Sequence, residues 1–208
     1  MKKFLTVSLI SVLLLSMTSC KNAEQGNADA SDPKSTEAAT LPEVPEGAIV
    51  DESGTFVFTG PLRQGGDDEN GYIKVPIGFL SFQEEGVEGL TQYASMDGTT
   101  IITLDRYEGF DYKTVANNFR YYFEEDENVE GLGGATTVVN GYNALQLYCH
   151  YKDDGKYFFA WMIEDPANPQ NSYYLAMEFL NEDKNIVACS STFQTVEDFA
   201  KTQETQAG

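Results

Sequence analysis

Residues 135–164, ATTVVNGYNALQLYCHYKDDGKYFFAWMIE, decide the fold, because three apolar runs are separated there by two turn signals. Asn140-Gly141 and Asp153-Asp154-Gly155 supply residues that tolerate the positive φ angles of tight hairpin turns. The runs between them are therefore predicted to be antiparallel neighbours in one sheet. These predicted strands are Ala135–Val139, Tyr142–Tyr151 and Lys156–Glu164.

The third run is the most apolar. Residues 157–163, YFFAWMI, have no polar face, which predicts either a central strand covered on both sides or a strand that exposes aromatic surface. A loop at 165–171, DPANPQN, then leads to a fourth predicted strand, Ser172–Leu180.

Upstream of this region the sequence predicts further strands and a hairpin. Asp97-Gly98 is one of the strongest short hairpin signals, and an apolar run lies on each side of it. A polar, glycine-rich segment at 60–71 follows the first of these strands, and its acidic residues 67–70 are predicted to be a solvated loop. The predicted strands are Thr55–Thr59, 71–76, 91–95 and 99–107.

Two helices complete the pattern. Apolar residues recur at helical spacing from Tyr112 to Phe123 and form one stripe, with Asp111 before them as a candidate N-cap. The acidic residues 124–127 stand at the disfavoured end of the helix dipole, so we expect fraying there. A short helix is predicted between Asn185 and Gln194. Together these elements predict an α+β fold, an antiparallel sheet meander with helices packed on it.

Composition limits the function. The chain has 208 residues, and 13 Lys+Arg against 33 Asp+Glu give a formal net charge of −20. Such a charge argues against nucleic-acid binding, which requires basic clusters. One histidine and three cysteines exclude most zinc sites and most His-dependent triads.

The N-terminus resembles that of a bacterial lipoprotein. Lys2 and Lys3 precede an apolar run, Phe4 to Leu15, which is too short to span a bilayer. Met17-Thr18-Ser19-Cys20 is similar to a lipobox, which implies that residues 1–19 are a signal peptide and that Cys20 carries the lipid. The alternative is an ordinary cleaved signal followed by a coincidental cysteine. The expected location is the outer face of a bacterial cell membrane.

The rest of the chain divides by composition. Residues 20–50 are predicted to be the lipidated cysteine and a disordered tether, since 21–50 hold no aromatic residue. Such a tether spans roughly 30 Å. Residues 51–200 are the predicted folded domain and 201–208 a disordered tail. Cleavage before Cys20 leaves 11 basic and 33 acidic side chains, a net charge of −22.

Several segments form a pattern together: GYIKVPIGF at 71–79, QYASMDGTTIITL at 92–104, the single amphipathic helix, VVNGYNALQLY at 138–148 and the closing short helix. This pattern resembles PsbP-like proteins, a fold shared by lumenal subunits of the oxygen-evolving complex, a Ran-binding nuclear import factor and bacterial lipoproteins. The resemblance covers about residues 70–195 and implies a noncatalytic binding or assembly role, with no catalytic residues to carry over.

Few residues are candidates for chemistry. Cys149 and Cys189 are a possible disulfide in an exported protein, although Cys149 also fits an apolar strand face as a free thiol. His150 points to the opposite face from Cys149, so it cannot activate that thiol. Asp67-Asp68-Glu69-Asn70 lacks the spacing of an EF-hand calcium loop. No catalytic residue, metal site or cofactor is therefore predicted.

Three functions remain open from the sequence. The leading hypothesis is a membrane-anchored, noncatalytic protein-binding or assembly module, with a basic protein as a possible partner. The alternatives are a small-ligand or divalent-cation binder and an enzyme with an unrecognised carboxylate site. A binding patch would draw on the tyrosines, which suit interfaces. The candidates are Tyr93, Tyr107, Tyr148, Tyr157 and Tyr173. The oligomeric state is left open.

Overall fold

The computed structural model describes residues 48–50, 56–58, 60–84 and 86–207. The predicted signal peptide, Cys20 and most of the predicted tether lie outside these ranges. The described elements are β1 Ala48–Val50, β2 Phe56–Phe58, β3 Leu62–Asp67, β4 Gly71–Pro76, β5 Leu80–Phe82, β6 Thr91–Ala94, β7 Ile101–Tyr107, α1 Tyr112–Glu125, β8 Val129–Val139, β9 Tyr142–Tyr151, β10 Tyr157–Glu164, β11 Ser172–Phe179, the 3₁₀ helix η1 Asn181–Thr192 and α2 Val196–Ala207.

Seven strands form one antiparallel sheet in the order β5-β6-β7-β11-β10-β9-β8. Strands β8 to β11 are the predicted meander, each paired with the next. The β8–β9 turn holds Asn140 at φ 46° and Gly141 at φ 90°, as a type I′ hairpin requires. Strand β11 then joins the meander to β7. The prediction of an α+β fold built on an antiparallel sheet is confirmed.

The two faces of this sheet are covered by different elements. Side chains alternate along β11, so that Tyr173 and Leu175 are buried on one face and Tyr174 and Ala176 on the other. The first face packs against the β3–β4 hairpin and η1, and we call it the hairpin face. The second packs against α1, and we call it the helix face. Strands β10 and β11 are therefore central, as the apolar run at 157–163 predicts.

Helix α1 begins at the predicted N-cap. The Asp111 carboxylate accepts hydrogen bonds of 2.9 Å from the amides of Lys113 and Thr114, which satisfies two free donors of the first turn. Phe119 stacks on Tyr174 of the sheet with 4.9 Å between ring centroids. The helix ends inside the acidic segment that was expected to fray. Its buried residues are Val115, Ala116, Phe119 and Phe123.

The polar, glycine-rich segment at 60–71, in which no strand is predicted, contains strand β3, which pairs with β4 along its whole length. Composition hides this strand because glycine is depleted in strands, although its partner β4 follows after a turn of three residues. A Cβ atom on Gly65 would lie only 2.9 Å from the Tyr93 ring, so a larger residue would collide with it. The Tyr93 hydroxyl accepts a 2.7 Å hydrogen bond from the Gly66 amide. The glycines thus give an aromatic ring access to the strand backbone.

The C-terminus differs from the prediction in two ways. The short helix predicted at 185–194 is the 3₁₀ helix η1, which begins at Asn181. The segment 201–208, predicted to be disordered, continues helix α2 as far as Ala207. This helix is held by contacts that its own sequence does not reveal. Phe199 stacks on Tyr72 of β4 at 3.7 Å between ring centroids.

Candidate functional site

The two cysteines considered for a disulfide lie on opposite faces of the sheet. Cys149 pairs with Phe158 across β9 and β10, and the Phe158 ring contacts Phe123 of α1, so Cys149 belongs to the helix face. Cys189 lies in η1 and packs in the core of the hairpin face. Both are free thiols. The sheet between them prevents a bond without rearrangement.

Neither thiol is activated as a nucleophile. Burial raises the pKa of Cys149 to about 12 and that of Cys189 to about 12. A catalytic thiol requires the opposite shift, which an electropositive neighbour would supply. The His150 ring instead lies 2.9 Å from the Glu130 carboxylate. These cysteines therefore act as small apolar residues of the core.

The acidic turn after β3 uses its carboxylates to hold its own backbone. Asp67 accepts hydrogen bonds from the amides of Glu69 and Asn70, at 2.9 and 2.8 Å, and a short one from the Thr91 hydroxyl. Asp68 accepts a 2.6 Å bond from the Tyr72 hydroxyl. Within the described residues, no group of three or more His, Cys, Asp or Glu side chains is arranged to hold a metal ion.

Beside this turn lies an open cavity of about 500 Å³, between the β3–β4 turn and the β5–β6 region. Asn70 lines it as a buried polar group, and its side-chain amide donates to the Gly89 carbonyl at 2.6 Å and to the Thr91 hydroxyl at 3.1 Å. Glu69 and Gln83 also line it. The cavity could hold a small polar molecule, but the side chains of Asp67 and Asn70 already have protein partners.

A buried ion pair that the sequence did not indicate lies on the hairpin face. Arg106 donates a 2.7 Å hydrogen bond to Asp165, whose side chain is fully buried. The guanidinium also lies over the Tyr173 ring, 5.0 Å from its centroid. Asp165 further accepts bonds from the amides of Ala167 and Asn168. The pair therefore fixes the β10–β11 loop to the sheet, which is a structural role.

One carboxyl group has the shifted pKa that an acid–base catalyst needs. Burial is the largest influence on Asp105 and raises its pKa to about 6. Hydrogen bonds from the Arg106 amide and the Tyr107 hydroxyl lower the pKa but only partly offset the effect of burial. Asp105 lies on the helix face opposite Tyr174 in the register of β7 and β11. It is not among the residues that line the cavity beside Asp67. The carboxyl group with the raised pKa therefore does not line the cavity.

The tyrosines considered for a binding patch fill the sheet instead. Tyr93 and Tyr173 are buried. Tyr107, Tyr148 and Tyr157 are half-buried, and their rings contact Phe119, Phe159 and Phe179 respectively. The tyrosine that does face solvent is Tyr121 on α1, with 65% of its surface exposed.

The two edges of the seven-stranded sheet differ in length. Strand β5 has three residues, and short edge strands limit pairing with other chains. Strand β8 has eleven residues, beginning at Val129, six residues before the predicted start. From Gly131 to Val139 it contains no charged residue and no proline. A long, uncharged edge strand is the kind that accepts another strand.

The β8–β9 turn determines which backbone groups face outward. In a hairpin with a two-residue turn, the residues flanking the turn exchange both hydrogen bonds, and the pattern then alternates. Val139 pairs with Tyr142 beside the turn, so Gly134, Thr136 and Val138 direct their N–H and C=O groups away from β9. All three residues are exposed, Val138 by 61%. No described residue forms a backbone hydrogen bond with these outward groups.

No helix in the described part of the chain has the length and apolarity to cross a membrane. This finding concerns α-helices of those residues alone.

Comparison with known proteins identifies structural relatives only. No family model and no curated protein matches the chain. The structure is similar to that of cyanobacterial PsbP (CyanoP) from Synechocystis, with 11% identity over 67% of this chain and 95% of that one and a TM-score of 0.48. A crystal structure from Bacteroides thetaiotaomicron matches with 10% identity over 66% of this chain and a TM-score of 0.42, and this chain covers 49% of it. The resemblance to PsbP-like proteins thus recurs in the structure, and at such distance it concerns the fold and carries no argument about function.

Proposed function

We propose that the protein is a lipid-anchored, extracytoplasmic binding module that assembles with other protein chains through the outer edge of β8. The observation that carries this proposal is the row of outward backbone groups at Gly134, Thr136 and Val138. Main-chain hydrogen bonds to such an edge supply affinity when an extended segment is added to a sheet. The proposed role is noncatalytic.

The N-terminal sequence supports the anchor. The lipobox-like Met17–Cys20 follows the short apolar run of a signal peptide. Two acyl chains on Cys20 would hold the protein at the membrane, where one chain binds only marginally. Residues 48–50, the end of the predicted tether, form strand β1. The segment from residue 21 to 47 would therefore place the folded body roughly 30 Å from the bilayer.

The net charge of the folded part limits which other proteins could bind the β8 edge. From residue 60 onward the chain carries 25 acidic and 9 basic side chains, a net charge of −16. A partner other than a copy of this chain would therefore be attracted if its surface were basic, and added salt would weaken the complex.

The test is photo-crosslinking of the anchored chain in intact cells. A photoreactive amino acid at Val138 is compared with one at Tyr121, which is similarly exposed but lies on α1. Protein adducts at Val138 that the Cys20→Ser form loses would support both the edge and the anchor. Adducts no more frequent at Val138 than at Tyr121 would refute the proposed surface.

The open cavity beside Asp67 favours a second candidate, the binding of a small polar ligand or a divalent cation. Its test is calcium titration followed by thermal unfolding, because a ligand that binds the folded state raises Tm. Stabilisation by calcium that Glu69→Gln abolishes would favour this candidate, because Glu69 is an exposed carboxylate that lines the cavity. An unchanged Tm throughout the titration would reject calcium.

A further inference from the structure

We propose that the chain that occupies the β8 edge is a second copy of this protein, paired antiparallel about a two-fold axis at Thr136. This inference rests on the proposed function, because it names the partner for the same edge. It begins from the outward groups of Gly134, Thr136 and Val138, which alternate with residues bonded to β9.

A two-fold axis at Thr136 places these three residues opposite one another. Thr136 meets Thr136 of the second copy, and Gly134 meets Val138. Each of these pairs can exchange two N–H···O=C hydrogen bonds, so every outward group of the three residues gains a partner. In any other register, at least one of the three lies opposite a residue outside this set.

The side chains at these positions are complementary. Val138 exposes 61% of its surface, and in this register it lies beside Gly134, which has no side chain to collide with it. Thr136 lies beside the same threonine, and threonine pairs across antiparallel strands are favourable. The exposed valine would be covered without displacing a side chain of the other copy.

Charge also fits antiparallel pairing. Residues 131–139 carry no charge, so no like charges face each other across the paired segment. The nearest acidic residue of the strand is Glu130, which lies opposite His150, whereas Thr136 lies opposite Leu145, five β9 residues away. The two copies of Glu130 would be about 34 Å apart along the strand direction, well beyond a Debye length of about 10 Å at 0.1 M salt.

The net charge of the body nevertheless opposes association. Two strongly acidic copies repel at low ionic strength, and salt screens this repulsion. Self-pairing should therefore strengthen as salt is added, whereas binding of a basic partner should weaken. The sign of the salt dependence separates the two occupants.

The test is a disulfide across the axis in the full-length, membrane-bound chain. Hydrogen-bonded antiparallel neighbours have Cα atoms about 5.5 Å apart, within the roughly 4.4–6.8 Å that a disulfide spans. With a mild oxidant such as diamide, Thr136→Cys should give a covalent dimer on a non-reducing gel. The control Asp153→Cys, in the β9–β10 turn, should not, and the buried Cys149 and Cys189 should contribute no background.

A second pair of variants tests the hydrogen bonds themselves. In the Thr136→Cys chain, Val138→Pro removes one outward donor without removing a bond to β9, so the dimer should be lost. Val138→Thr keeps both the donor and the branched side chain, so the dimer should persist.

The outcomes distinguish this inference from the proposed function. A Thr136→Cys adduct with a different protein would refute self-pairing and leave the β8 edge as a binding surface. No adduct above the Asp153→Cys control would also refute self-pairing. The photo-crosslinking at Val138 needs no second thiol, and it decides separately whether the edge binds any protein.

Discussion

Replacing Asp105 with asparagine should stabilise the protein at neutral pH, because Asp105 is a half-buried, desolvated carboxyl without a cationic partner. Burial raises its pKa from 3.8 to about 6. The folded state therefore holds this proton more tightly than the unfolded state does. The contribution of Asp105 to the free energy of unfolding is greatest below about pH 3.8, declines as the pH rises towards 6, and stays low above that.

The size of the effect follows from the shift. Each pKa unit corresponds to 1.36 kcal/mol, so a shift of about two units lowers the free energy of unfolding by about 3 kcal/mol at pH 7.5. Asparagine has almost the same shape and cannot ionise. It also keeps an acceptor for the Arg106 amide, which bonds Asp105 at 2.8 Å. Asp105→Asn should thus recover most of that free energy above pH 6 and little at pH 4.

Urea unfolding of both forms between pH 4 and pH 7.5 measures this difference. Taking the difference between variant and wild type cancels the titration of the other carboxylates. The matched control is Asp153→Asn, which makes the same substitution at an exposed residue of the β9–β10 turn. A difference for Asp105→Asn that is constant across the range, or a loss of stability at pH 7.5, would refute the interpretation of Asp105 as a destabilising, desolvated charge.

Three further substitutions or treatments have defined outcomes. Asp111→Ala should lower the free energy of unfolding by about 1 kcal/mol by removing the α1 cap, while Asp111→Asn should retain most of it; equal losses in urea unfolding would contradict the capping role. Arg106→Leu leaves the fully buried Asp165 without its cation and should cost about 3 kcal/mol or more, whereas Arg120→Leu breaks an exposed pair and should cost less than about 1 kcal/mol. A thiol reagent should label neither Cys149 nor Cys189 in the native Cys20→Ser chain and both after unfolding; no labelling after unfolding would instead indicate a disulfide.

The parts of the fold that sequence predicted correctly are governed by local interactions. Asn140-Gly141 and Asp97-Gly98 determine hairpins through their own backbone preferences, and the strands on each side pair as expected. The stripe on α1 and its cap at Asp111 are likewise contained in one short segment. Such signals need no knowledge of the rest of the chain.

The errors concern elements that depend on distant residues. Strand β3 packs against the Tyr93 ring at Gly65, and α2 packs against Tyr72 through Phe199. Neither contact can be inferred from a window of neighbouring residues. The KTQETQ sequence of α2 has no apolar stripe, so it resembles a disordered tail until that contact is known.

The buried ion pair and the β8 edge also depend on residues that are distant in the sequence. Arg106 and Asp165 lie 59 positions apart, and only the sheet brings them together. The outward direction of Thr136 could have been derived from the two-residue turn alone. That β8 is an edge could not, because its position depends on β11 pairing with β7.

The central claim is that another chain covers the outer edge of β8. Amide hydrogen exchange, resolved by residue and measured on the anchored chain in isolated membranes and on the dilute Cys20→Ser chain, tests it most directly. In the dilute chain, Thr136 and Val138 should exchange fast, whereas Ala135 and Thr137, which donate to β9, should exchange slowly. In membranes the first two should become as slow as their neighbours. Fast exchange of Thr136 and Val138 in both samples would contradict the claim.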